Sequence, residues 1–120
     1  MVIIDEGVML RYLLNDNRRL ADEAAVIIGG GQAYTYPELI ARVAVTLRDL
    51  YGVPRTMIGE ALTMLLDDVC VAEADVVRLA CRYFGTTRLD FTDCLLMARN
   101  VQRGWPVASF DKAIMRRMLP

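Results

Sequence analysis

Short β-branched runs alternate in this chain with stretches whose apolar residues recur every three to four positions. That alternation constrains the fold more than any other feature. Val2-Ile3-Ile4 is an apolar run closed by Asp5, the pattern of a strand buried on both faces, as parallel sheets require. Val8, Met9, Tyr12 and Leu13 follow at helical spacing, and Leu20, Ala24, Ile27 and Ile28 share one face of a second helix that Gly29-Gly30-Gly31 stops. Residues 32–35 read as a short strand. Ile40, Val43, Leu47 and then Leu50 or Tyr51 mark a longer helix ending at Gly52, and Pro54 opens another that carries Ile58, Ala61, Leu62, Leu65 and Leu66. Val69-Cys70-Val71 is the third expected strand. Val76, Ala80, Tyr83 and Phe84 predict a helix to Gly85, and Phe91, Cys94, Leu95 and Ala98 one to Gly104. Residues 106–110 read as a fourth strand, and Ile114, Met115 and Met118 as a terminal helix with Arg116 and Arg117 at its negative end.

Strands separated by helical segments of about ten or more residues need crossover connections, which favour parallel pairing and an open α/β sheet with helices on both faces. The 120 residues suffice for one such domain, spanning 1–120, and 55% hydrophobic content fills its core. Fourteen basic against fifteen acidic residues leave a net charge of −1, which excludes a broad basic nucleic-acid coat. The glycine cluster lacks the Gly-Lys-Ser/Thr ending of a phosphate loop and follows a helix, so it reads as a helix stop.

The chain has no histidine, which removes His bases, His metal ligands and every Ser-His or Cys-His nucleophile. Thirteen of the fourteen cations are arginine, a bias that host codon usage explains as well as phosphate recognition does. Cys70, Cys81 and Cys94 lack the spacing of a zinc knuckle and read as buried thiols in a reducing cytoplasm. With no basic leader and no long apolar span, the expected location is cytoplasmic, away from membranes.

Chemistry must therefore come from carboxylates. In open α/β sheets the site lies beyond the carboxyl ends of the strands. Asp5 closes the first strand, Asp111 the fourth, and Asp93 sits in the first turn of the helix that starts after Asp90. Carboxylates gathered within about 4–6 Å raise one another's pKa unless a cation neutralises them, and Mg²⁺ is the hard ion suited to them. A structural alternative stands beside this reading: Asp90 with Asp93 resembles a capping box, and Asp111 caps the last helix.

These residues resemble the PIN domains, most closely the VapC-like toxin ribonucleases of bacterial toxin–antitoxin pairs. The stretch from Met1 to Asp16 is similar to the family's opening strand and helix, Leu89 to Ala98 to its third acidic segment, and Val107 to Lys112 to its fourth. The resemblance implies a three-layer α/β/α fold with an open parallel sheet of four or five strands. It also implies an endoribonuclease that hydrolyses RNA phosphodiesters with Mg²⁺ or Mn²⁺ held by Asp5, Asp93 and Asp111, with Asp90 auxiliary. A homodimer and a cognate antitoxin follow as implied partners, with Met57 and Met64 suited either to such contacts or to the core. Two departures point to a second function. Arg42 stands where the family's second acid is expected, and Glu38 lies one turn earlier, about 6 Å along the helix axis. Glu6 and Gly7 replace the small hydroxyl and amide residues usual after the first acid. A cation among the acids is what a catalytically impaired PIN module, binding RNA or a protein partner, would carry. A phosphatase on a similar sheet is disfavoured, because the D-x-D pair is missing and Lys112, the only lysine, adjoins Asp111.

Overall fold

The computed structural model describes residues 1–120. Its elements run β1 (Val2–Ile3), α1 (Glu6–Leu14), α2 (Arg18–Gly29), β2 (Ala33–Thr35), α3 (Pro37–Asp49), α4 (Arg55–Asp68), β3 (Cys70–Val71), α5 (Ala74–Thr86), α6 (Phe91–Arg103) and α7 (Lys112–Met115). The chain is thus α/β, with three parallel strands in the order β1-β2-β3 and a helical crossover between each successive pair. Val2 pairs with Ala33 and Tyr34 with Cys70.

Local chemistry fixes the helix ends. Asn17 caps α2 by accepting from the Leu20 amide at 3.1 Å, and Pro37 supplies the preset φ of a first helical residue in α3. Gly104 ends α6 in the left-handed region at φ 69°, where an L side chain would be strained. The expected apolar stripes form the core: Ile40, Val43 and Leu47 of α3, Ile58, Leu62 and Leu65 of α4, Val76, Ala80 and Phe84 of α5, and Phe91, Cys94 and Ala98 of α6 are all buried. The α4 and α5 helices cross so closely that a Cβ on Gly59 would lie 2.9 Å from the Cys81 carbonyl oxygen and 3.1 Å from the Gly85 Cα.

Four expectations need correction. The sheet has three strands, not four or five, because residues 106–110 pair with no strand. Their alternating pattern is that of a strand, but the chain leaves α6 at Gly104 and closes on itself instead of joining the sheet. For the same reason β1 is an edge strand: Ile4 is buried while Val2 and Ile3 are exposed, so the run is not covered on both faces. Cys70 is exposed, whereas Cys81 and Cys94 are buried as expected. Met57 and Met64 project outward from α4 and do not belong to the core. No helix is long and apolar enough to cross a membrane.

Candidate functional site

The acids singled out in the sequence fall into three places. Asp5 turns over the start of α1, where its Oδ1 accepts the Val8 amide at 3.1 Å. That capping bond aims the carboxylate away from the neighbouring residue, and Asp5 lines a concavity with Arg11, Leu20, Glu23 and Ile27 between α1 and α2. Glu6, the next residue, faces the other way. It forms one wall of a groove of about 740 Å³ bounded by α1, α3 and α6, together with Glu38, Arg42, Thr46, Thr92 and Arg99.

Inside that groove Glu6 is the organising residue. The Thr46 hydroxyl donates to Glu6 Oε2 at 2.7 Å, and Arg42 Nε lies 3.8 Å from Oε1. Arg42 and Thr46 are four residues apart on α3, so one helix face presents both to the same carboxylate. The opposite wall is closed by Arg99 of α6, which donates to both carboxylate oxygens of Glu73, at 3.3 Å from Nε and 2.8 Å from NH2. Pairing with Arg99 holds the Glu73 carboxyl below the usual range. Both groove arginines therefore already have acid partners. Leu39, Val45 and Leu95 add apolar wall between them.

The third place is the start of α6. Burial raises the Asp93 carboxyl above the usual aspartate value, and the charges of Asp90 and Asp111 raise it further. Asp90 occupies the cap position without a side-chain capping bond, so the capping-box reading does not account for its carboxylate. Asp111 does cap α7, accepting from the Ala113 amide at 2.9 Å and the Ile114 amide at 3.3 Å. Arg55 fixes the turn that carries these acids. Its guanidinium lies 4.0 Å over the Phe84 ring and donates to the carbonyls of Phe84 and Leu89, immediately before Asp90.

The residues do not fit the metal site implied for them. No three carboxylates or thiols converge in a geometry that could hold a metal ion. Asp5 is committed to its helix cap, and Arg42 puts a guanidinium on the acid beside it. Thiolate chemistry at Cys81 is also closed off, since burial pushes its thiol up to about 12. No family model, curated protein or solved structure matches the chain.

Thr46, Thr92 and Arg99 line the groove without having been singled out in the sequence. The signal for Thr46 was its place one turn beyond Arg42. For Arg99 it was the seven-residue spacing from Thr92, which returns to the same face after two turns.

Proposed function

We propose that this chain is a PIN-like module with impaired catalysis whose α1–α3–α6 groove holds a segment of a protein partner. The observation that carries this reading is the Glu6–Arg42–Thr46 arrangement, in which the position expected to hold a second acid supplies a cation that is already paired. A protein is favoured over RNA because the groove offers little free positive charge: Arg42 faces Glu6, Arg99 is bound to Glu73, and Glu38 adds a further acid. Its apolar residues suit side chains better than a phosphate backbone. Calorimetry with Mn²⁺ and a cleavage assay on structured RNA test the reading. Neither heat of binding nor cleavage is expected; millimolar or tighter Mn²⁺ affinity, or cleavage lost in Asp93→Asn, would overturn it.

A second reading, the metal-dependent endoribonuclease of a toxin–antitoxin pair, has one observation in its favour. Burial raises the Asp93 carboxyl and the charges of Asp90 and Asp111 add to it, a penalty that a cation beside Asp93 would offset. Cleavage that depends on Asp93 and gains from Arg42→Glu supports this reading over the first.

A further inference from the structure

Residues 105–119 run back along α6 and return. Near the end of that helix, buried Asn100 donates to the Trp105 carbonyl at 2.9 Å and the Leu119 carbonyl at 3.3 Å and accepts the Leu119 amide at 2.7 Å. Those bonds set Trp105 and Leu119 side by side. Between them the chain reaches Asp111, whose charge acts on Asp93 in the first turn of α6. The segment is thus fastened near both ends of one helix, and its outer side is fixed.

Beyond α7 the chain keeps turning, with the Arg116 amide on the Lys112 carbonyl at 3.0 Å, the Arg117 amide on Ile114 at 3.0 Å and the Met118 amide on Met115 at 3.2 Å. Ile114 is buried and Met118 half-buried, so that side faces the protein. Lys112, Met115 and Arg116 share the outer side at spacings of three and four, Leu119 continues it, and all four are exposed. Lys112, Arg116 and Arg117 enter no ion pair, whereas Arg11, Arg48, Arg78, Arg99 and Arg103 all do. The one acid of the segment, Asp111, turns its carboxylate onto the Ala113 and Ile114 amides. Aromatic rings stand at both ends: Trp105 beside Leu119, more than half exposed, and Phe110 ahead of α7, wholly exposed. The grooves between α1 and α2, α1 and α4, α4 and α5, and α1, α3 and α6 include none of these residues.

We propose that residues 105–119 adsorb this protein to an anionic lipid surface. Trp105, Phe110, Met115 and Leu119 enter the boundary between headgroups and acyl chains, while Lys112, Arg116 and Arg117 reach the lipid anions from the same side. Interfacial segments carry this mixture, because long cationic stems lie along apolar surface and keep their charges at headgroup level, and tryptophan settles where one side is apolar and the other wet. RNA is disfavoured as the occupant: Met115 and Leu119 have no ring on which a base could stack. Adsorption of this kind needs no spanning helix. It uses no residue of the Arg42 groove and is independent of what that groove binds.

The single tryptophan reports on the contact directly. The full chain is sedimented with vesicles of equimolar phosphatidylcholine and phosphatidylserine and with phosphatidylcholine alone, and Trp105 emission is followed with and without brominated phosphatidylcholine. Binding to the anionic vesicles, a blue shift and quenching by the brominated chains are expected, with binding to phosphatidylcholine alone at least about tenfold weaker. An Arg116→Glu/Arg117→Glu protein should lose about tenfold or more in affinity for the anionic vesicles, and Phe110→Ser should lose severalfold. All three side chains are exposed, so an unchanged melting temperature confirms that these variants fold. No sedimentation with anionic vesicles would overturn the proposal. So would equal binding to both vesicles, Trp105 emission unchanged on bound protein, or vesicle binding that ignores the arginine reversal while binding to poly(U) RNA is lost.

Discussion

Thr46 and Glu6, forty residues apart, share a 2.7 Å hydrogen bond that joins α3 to the first turn of α1. The acceptor is a half-buried carboxylate, and a hydrogen bond to a charged group contributes about 1.5–3 kcal/mol. Arg42 reaches the same carboxylate only at 3.8 Å, from a side chain 70% exposed, where solvent screening leaves about 0–1 kcal/mol. The two neighbours of Glu6 are therefore unequal. Thr46→Val is expected to lower the urea midpoint clearly more than Arg42→Ala does. Equal shifts would mean that the ion pair, not the hydroxyl, fixes Glu6.

The α4–α5 crossing sets a sharper expectation. A Cβ at Gly59 would stand 2.9 Å from the Cys81 carbonyl oxygen, a contact with backbone that no side-chain rotation relieves. At Gly85 the nearest atoms are 3.4 Å away, an ordinary contact distance. Gly59→Ala should destabilise the protein by about 1–3 kcal/mol, and Gly85→Ala far less, offset by the better helix propensity of alanine. Thermal unfolding followed by circular dichroism separates the two. A Gly59→Ala protein as stable as its parent would show that the helices can part at no cost.

The helices were legible in the sequence because each carries an apolar stripe and a recognisable end, from Asn17 to Gly104. The strands were legible as runs and their parallel pairing from the helical crossovers, but the number of strands in the sheet was not. Nothing local in Pro106-Val107-Ala108-Ser109-Phe110 records whether β1 lies beside it, since strand pairing is a contact across a hundred residues of chain. The acids show the same divide. Asp5 was visible as a strand-ending carboxylate, but the direction of its side chain depended on whether it would cap α1, and Glu6 inherited the groove as a result. Of the three acids expected together, Asp93 and Asp111 are close enough to act on each other while Asp5 lies apart, and the Arg42–Glu6 pairing required knowing that α3 packs against α1.

Asn100 ties the segment from Trp105 to Leu119 to α6 through three hydrogen bonds, two donated by its amide and one accepted from Leu119. It is one of the few buried polar residues in the protein. Replacing it with leucine leaves the Trp105 and Leu119 carbonyls without those donors while sparing the core of α4 and α5. Asn100→Leu should speed tryptic cleavage after Arg103 and Lys112 several-fold with little change in the main unfolding transition. Unchanged cleavage would mean that Ile114, the buried residue of α7, holds this segment by itself.

Asp93 in the first turn of α6 and Asp75 of α5, which pairs with Arg103 in the last turn of α6, respond to pH in opposite senses. Asp75 bonds to Arg103 at 2.6 and 3.0 Å and is lowered to about 2. Its folded pKa lies below the unfolded value of about 3.8, so between those values the unfolded chain binds more protons; the contribution is present above about pH 4 and lost as pH falls toward 2. Asp93 is raised by burial and then by Asp90 and Asp111, so its folded state holds the proton longer. Stability therefore falls as pH rises from about 3.8 through the raised folded pKa, and the penalty persists to neutrality. Asp93→Asn is accordingly expected to raise the melting temperature at pH 7 and to lose that advantage below about pH 4, whereas Asp75→Asn lowers it at pH 7 and flattens the acid limb. Melting curves at pH 3, 5 and 7 read both signs at once, and a destabilised Asp93→Asn at pH 7 would show that its carboxylate is stabilised by a partner, not strained by Asp90 and Asp111.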